Sequence, residues 1–285
     1  MQLYIYAKSG HSFGLENVRR ASAIFNILKD TNPVLCTADY RAATFAKYNL
    51  NAPKGVGVDI IGNMPHVMER GDMLIYDDSN EASDTMKEHM NEFCTNIYKV
   101  GVDIPFDIID ATYFKHIENK YEKAVFFADD DYANWFFELA KNGNKQEMPL
   151  LLGHYFFLGN DDILKNYFSD IIEDEEYAQT IKSTKYLLTS SIQAALESLA
   201  SGNNPVYFKR EDKKDIENLE LLEKYNIPTV SGKTIDEIIE SFNTVVLNYP
   251  NTNEIKQFDI SKVKSEIEET LKKFEMIKPA LDYKY

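Results

Sequence analysis

The chain has 285 residues, 44% of them apolar and 27% charged, with a formal net charge of −15. That length allows two ordinary domains or one large one, and the composition is that of a globular protein with ample aromatic residues for a core (17 Phe, 18 Tyr). The acidic balance excludes a general nucleic-acid binder, because phosphate neutralisation needs a basic face; Arg19 and Arg20 are the only adjacent arginines.

Leu3–Ala7 reads as a buried strand, followed by a polar turn, Ala7-Lys8-Ser9-Gly10-His11-Ser12-Phe13-Gly14. Glu16–Lys29 carries Val18, Ala21, Ile24, Phe25 and Leu28 at helical spacing, and Asn32-Pro33 ends it. Pro33–Thr37 is a strand, Asp39–Tyr48 a helix, and Met73–Tyr76 a strand stopped by Asp77-Asp78. Glu81–Tyr98 reads as one long helix, and Val100–Pro105 as the strand that closes the first sheet. A connector, Phe106–Lys123, precedes a strand at Ala124–Ala128, a helix at Tyr132–Lys141 and a strand at Pro149–Gly153. Asp161–Phe168 and Asp174–Ile181 read as helical, with the acidic run Ile171–Tyr177 as a solvated helix start. Lys185–Phe208 is strand, tight polar turn, helix, Gly stop and strand. Glu217–Tyr225 (helix), Ile227–Val230 (strand), Ile235–Asn248 (helix) and Ile260–Met276 (amphipathic helix) complete the chain.

Strand–helix alternation on both sides of residue 120 predicts an α/β protein with two Rossmann-like domains, each a parallel sheet covered by helices on both faces. The expected boundaries are 1–115, 122–258, and 259–285 as a C-terminal helix packing back across the hinge. Each half offers a helix N-terminus at the carboxyl end of a strand, where open α/β sheets bind anionic ligands, so a cleft between the halves is expected. No run of about 18 uncharged apolar residues appears, so no membrane span is expected, and the N-terminus lacks the pattern of a secretory leader. Cys36 and Cys94 are expected as reduced thiols of a cytoplasmic protein, with a single disulfide as the alternative.

The order "strand, Ser9-Gly10-His11 turn, helix with Arg; then acidic helix, strand, Thr189-Ser190-Ser191 turn, helix with Glu197, Gly202-Asn203-Asn204-Pro205, strand" resembles the GT-B glycosyltransferases. Within them it is most similar to the group holding the lipid II-forming N-acetylglucosaminyltransferase and the UDP-sugar hydrolase of pseudaminic acid synthesis. Lys8 and Ser190 stand where that group carries turn glycines, and Lys209-Arg210-Glu211-Asp212 has no counterpart to its terminal Gln motif. The resemblance implies an enzyme of bacterial-type surface-glycan synthesis. It would transfer or hydrolyse a nucleotide-activated sugar, most often a UDP-sugar, with a glycan or sugar acceptor and neither cofactor nor metal. It also implies that Glu197 accepts hydrogen bonds from a ribose.

The residues themselves leave two readings at each position. His11, in its Gly-bounded loop, is a general base or a donor to a sugar phosphate, or else a locally bonded loop histidine. Gly10, Ser12 and Gly14 line that loop as substrate contacts, although turns take glycine without any ligand. Ser190 and Ser191 bind a phosphate or simply cap a helix, and Glu197 binds ligand or is an ordinary helix glutamate. Asp129-Asp130-Asp131 is an Asp-x-Asp metal site or a helix cap, the second being favoured; Asp77-Asp78 is a similar case. His66, His89, His116 and His154 lack zinc spacing, and no nucleophile elbow or phosphate-loop motif occurs. The alternatives to a sugar-nucleotide enzyme are a non-catalytic binding or scaffolding protein that keeps the fold and, more remotely, a non-hydrolysing nucleotide-sugar epimerase.

Overall fold

The computed structural model describes residues 1–53, 55–213 and 216–282; the last three residues of the expected segment 259–285 lie outside them. It divides into two compact units: Met1–Lys8, Asn17–Ile108 and Phe258–Tyr285 form one, and Ser9–Glu16 with Ile109–Gln257 the other.

The first unit runs β1 (Leu3–Ala7), α1 (Glu16–Ile27, entering from the preceding loop), β2 (Val34–Thr37), α2 (Tyr40–Asn49), β3 (Gly55–Gly57), β4 (Met73–Asp77), α3 (Asp84–Phe93) and β5 (Asn96–Lys99). Its five strands are all parallel, in the order β3-β2-β1-β4-β5. The central strand β1 is apolar because both its faces are covered; Ile5 lies between Leu35 and Ile75 in register. Asp39 and Ser83 cap α2 and α3 by accepting from the amides of Ala42 and Met86.

The long helix expected over Glu81–Tyr98 is instead a short one and a strand. α3 stops at Cys94, which turns extended, and Asn96–Lys99 pairs with β4, Ile97 opposite Leu74. Sheet pairing overrides a helical pattern that was continuous in the sequence. The expected strand Val100–Pro105 is a turn, with Gly101 at φ 91°.

The second unit runs β6 (Tyr121–Phe126), α4 (Trp135–Lys141), β7 (Leu150–Leu151), α5 (Asn160–Leu164), β8 (Ile171–Ile172), α6 (Tyr177–Ser183), β9 (Thr184–Thr189), α7 (Ile192–Ala200), β10 (Asn204–Phe208), α8 (Glu220–Lys224), β11 (Thr229–Val230) and α9 (Ile235–Leu247). Its six parallel strands lie in the order β11-β10-β9-β6-β7-β8. The acidic run Ile171–Tyr177 thus begins as an edge strand rather than a helix. Phe127, Phe136, Phe168 and Phe242 centre the core. α10 (Ser261–Asp282) returns to the first unit, burying Ile267, while Glu266 accepts from the Tyr98 hydroxyl at 3.1 Å. Among the described residues no helix is long and apolar enough to cross a membrane.

The first unit is braced by a buried ion pair. Arg20 of α1 donates from Nε to Asp77 at the end of β4 over 2.8 Å, and from Nη2 to Asn17 over 2.7 Å. The side chains of Arg20 and Asp77 are 3% and 2% exposed. Removing one partner leaves the other charge buried, so Asp77→Ala is expected to cost about 3–5 kcal/mol in urea unfolding. The double variant Arg20→Met/Asp77→Leu is expected to recover most of it. A double variant as weak as the single would assign the loss to packing instead.

Candidate functional site

In the second unit the chain leaves β6 toward β7 and leaves β9 toward β10, in opposite directions across the sheet. The carboxyl ends of β6 and β9 therefore flank a switch point, the place where parallel sheets of this kind open a ligand crevice. Phe127–Asp131 follows β6 there, and Ser190-Ser191 follows β9.

The loop Ser9–Glu16 folds onto the tail of β6. Gly10 accepts at its carbonyl from the amides of Phe13 and Gly14 at 3.0 and 2.8 Å, closing a tight loop with His11 and Ser12 exposed at its tip. Gly14 has φ 72° and is packed so that a Cβ would lie 3.2 Å from that of Asp129. The positive φ favours glycine here, and the close Asp129 side chain leaves little room for a Cβ. Asp129, 3% exposed, is the clamp. Its carboxylate accepts from the amides of Leu15 and His154, both at 3.3 Å, and its carbonyl accepts from the Tyr155 amide at 2.9 Å. Gly153 permits this meeting, because a Cβ there would strike the Ala128 carbonyl oxygen. The His11 ring consequently lies 4.2 Å from that of Tyr132 and 5.1 Å, edge-on, from that of Tyr155.

The three aspartates after β6 have three separate tasks. Asp130 pairs with Arg210 at 2.6 Å and with Lys213. Arg210 also pairs with Asp212, and its guanidinium lies 4.5 Å from the centre of the Phe127 ring. Lys213 reaches the Ser12 carbonyl at 3.0 Å and so holds the His11 loop from its other side. Asp131 accepts from the amides of Phe136 and Phe137 at 2.8 and 2.9 Å, the helix-cap role favoured from sequence. Among the described residues no group of three or more His, Cys, Asp or Glu side chains is set to hold a metal. Asp77 belongs to the ion pair above, and Asp78 closes a strand-end turn by accepting from Ala82 at 2.8 Å.

Ser190, Ser191 and Glu197, expected at a ligand, are buried and bonded within the unit. The Ser190 hydroxyl donates to the Phe208 carbonyl and its amide to that of Phe127, each at 2.7 Å. Ser191 is fully buried; its hydroxyl caps α7 at Ala194 and its amide donates to Thr189. Glu197 is 2% exposed and accepts from the Tyr177 hydroxyl at 2.7 Å and from Gln193 at 3.0 Å. Its helix face turns inward, so the carboxylate serves the packing of α6 against α7.

Sequence reading missed Arg210, Lys213 and a further pair at the same edge. His154, after β7, bonds through Nδ1 to Asp174, after β8, at 2.6 Å. Burial pushes the Asp174 carboxyl up, but the hydrogen bond and charge of His154 outweigh it and hold it below its ordinary range. No local motif marks these residues; their only signal was a position just beyond a short strand.

Two Rossmann-like units of all-parallel strands define the GT-B fold. No protein-family model matches the sequence, nor does any curated protein. Solved structures do match. The UDP-GlcNAc 2-epimerase of Methanocaldococcus jannaschii, in complex with UDP-GlcNAc and UDP, has a TM-score of 0.57 at 12% identity, over 95% of this chain and 99% of that one. The Neisseria meningitidis UDP-GlcNAc 2-epimerase bound to UDP-GlcNAc gives 0.48 at 13%, over 96% and 100%. The glycosyltransferase SnogD of Streptomyces nogalater gives 0.48 at 10%, over 87% and 92%. At these identities the likeness speaks to the fold alone, and the first of them carries it.

Asp129→Ala is expected to cost about 2–4 kcal/mol, since the amides of Leu15 and His154 lose a buried acceptor. Amide hydrogen exchange should then quicken at Leu15 and His154 while the β6 and β9 amides stay protected. Uniform quickening would show that Asp129 supports the whole unit rather than the loop.

Burial, despite its amide donors and Arg210, holds the Asp131 carboxyl up at about 6. A carboxyl raised on folding favours the fold fully below its unfolded value, and that contribution is lost as pH rises through the folded one. Between about pH 4 and about pH 7, the stability of wild type relative to Asp131→Asn should fall by about 1–3 kcal/mol. Chemical denaturation across that range checks it; a constant difference would mean that Asp131 titrates normally.

Proposed function

We propose that this chain is an enzyme acting on a nucleotide-activated sugar, foremost a UDP-sugar, by transfer to a sugar or glycan acceptor or by hydrolysis of the donor. The observation that carries the reading is the exposed His11 at the tip of a loop clamped by Asp129 onto the switch point of the second unit's sheet. The ligands of the M. jannaschii structure, UDP-GlcNAc and UDP, support the choice of nucleotide. The reading takes the protein as cytoplasmic, to which its two free cysteines are suited, as a partner in surface-glycan synthesis with no part in nucleic-acid binding.

In this reading His11 is the general base. Tyr132 and Tyr155 fix its ring by two contacts, and it takes the proton from the attacking hydroxyl of the acceptor or of water. Gly10, Ser12 and Gly14 shape the loop against the sugar. Lys213, about one-third exposed at its side chain, is a cation that would meet a diphosphate; buried Arg210 holds Asp130 in place beside it. Ser190, Ser191 and Glu197 contribute by fixing the turn and helix that border the crevice.

The internal engagement of Ser190, Ser191 and Glu197 favours a second reading, a binding or scaffolding protein that keeps the fold without the chemistry. Thermal unfolding with uridine, cytidine and guanosine diphosphate sugars at millimolar concentration separates the two. The enzyme reading expects stabilisation by at least one of them and release of nucleotide or altered sugar. His11→Ala should then lose about 10²–10⁴-fold in turnover with ligand binding retained. No shift with any of these sugars favours the scaffold, and unchanged turnover in the variant removes histidine from the mechanism.

A further inference from the structure

The first unit contains a cavity of about 420 Å³ at the carboxyl ends of β2 and β3. It lies to one side of that sheet's own switch point, which falls between β1 and β4. Its walls include Asp39 and Tyr40 after β2, Asp59 after β3, and Asn63 and His66 from the short helical turn that follows. None of these residues has a part in the site described above.

Tyr40 is 80% exposed. A large ring held in water at the wall of a cavity offers a flat apolar platform. Asp59 is rigid for an exposed residue. Its Oδ1 accepts from the Ile60 amide at 2.9 Å and from the Asn63 amide group at 2.7 Å, while its carbonyl accepts from the Tyr6 hydroxyl at 3.3 Å and from Lys8 at 3.4 Å. The Asn63 and Ile60 bonds to its carboxylate hold the Asp59 carboxyl below its ordinary range. Asp39 is fixed as the cap of α2, accepting from Ala42 at 3.0 Å. The cavity therefore combines two oriented carboxylates, an amide that donates and accepts, an imidazole and one exposed ring. Two carboxylates repel phosphate and carboxylate ligands. Adjacent hydroxyl groups on a ring, by contrast, suit carboxylate and amide acceptors on one side and an aromatic face on the other.

We infer that this cavity is a carbohydrate site in its own right, taking a sugar ring that carries no anionic group, with Tyr40 as the stacking platform and Asp59 and Asn63 as the hydroxyl-binding pair. It stands independently of the nucleotide-sugar reading, since it uses the first unit alone.

The test is amide NMR titration of the full chain with glucose, N-acetylglucosamine and glucosamine, and with glucose 6-phosphate as the anionic control. At sugar concentrations on the order of tens of millimolar, typical of weak single-ring binding, at least one uncharged or amine-bearing sugar should shift the signals of Gly57, Asp59 and Asn63. Glucose 6-phosphate should bind more weakly. Tyr40→Ala should weaken binding by about tenfold or more, whereas Tyr40→Phe, which keeps the ring, should retain it. Because Tyr40 is so exposed, both variants should keep the wild-type spectrum elsewhere. No shift with any sugar, equal binding by Tyr40→Ala, or tighter binding of the phosphate would each overturn the assignment. Nucleotide-sugar binding is read separately from the second unit's signals, so either idea can fail without the other.

Discussion

Asp129 is the residue on which the second unit's carboxyl edge depends. One buried side chain accepts from two amides on separate loops, and its carbonyl receives a third. The loops it joins begin some distance apart in sequence, one after β1 and one after β7. A carboxylate is suited to this work because it has several acceptor sites and bonds strongly to amide donors. Glycines at 14 and 153 let the three backbones approach closely enough to share it. The loop that carries the exposed His11 is tied to that junction through Leu15.

Charge is handled differently below the edge. Arg210 is buried among Asp130, Asp212 and the face of Phe127, and Lys213 completes the set. Burying so many charges is favourable only when each has a partner, and here each does. The first unit repeats the solution on a smaller scale with Arg20 and Asp77. The first unit's aspartate is the last residue of its strand β4 and the second unit's follows β6, so in both the pair sits at the carboxyl side of the sheet.

The two units thus present different chemistry at their carboxyl edges. The second offers an imidazole, a lysine about one-third exposed and a buried lattice of paired charges, the set on which the proposed sugar-nucleotide reading rests. The first offers a cavity with carboxylates and an exposed tyrosine, which suits a neutral or cationic ligand. A parallel sheet supplies the location in each case, and the loops supply the specificity.

By itself the sequence determined the α/β class, the parallel sheets and most of the helices, because apolar runs and helical spacing are local signals that tertiary contacts seldom reverse. It also marked the Gly10–Gly14 turn and the cap role of Asp131. The tertiary structure decided what local pattern cannot carry. It broke Glu81–Tyr98 into helix and strand, since pairing with β4 outweighs helical propensity at Ile97 and Tyr98. It turned Glu197 inward onto Tyr177, a matter of which face of α7 meets α6. It gathered Asp129, His154, Asp174, Arg210 and Lys213 from separated loops, and no spacing along a chain encodes a meeting that depends on the order of strands in a sheet.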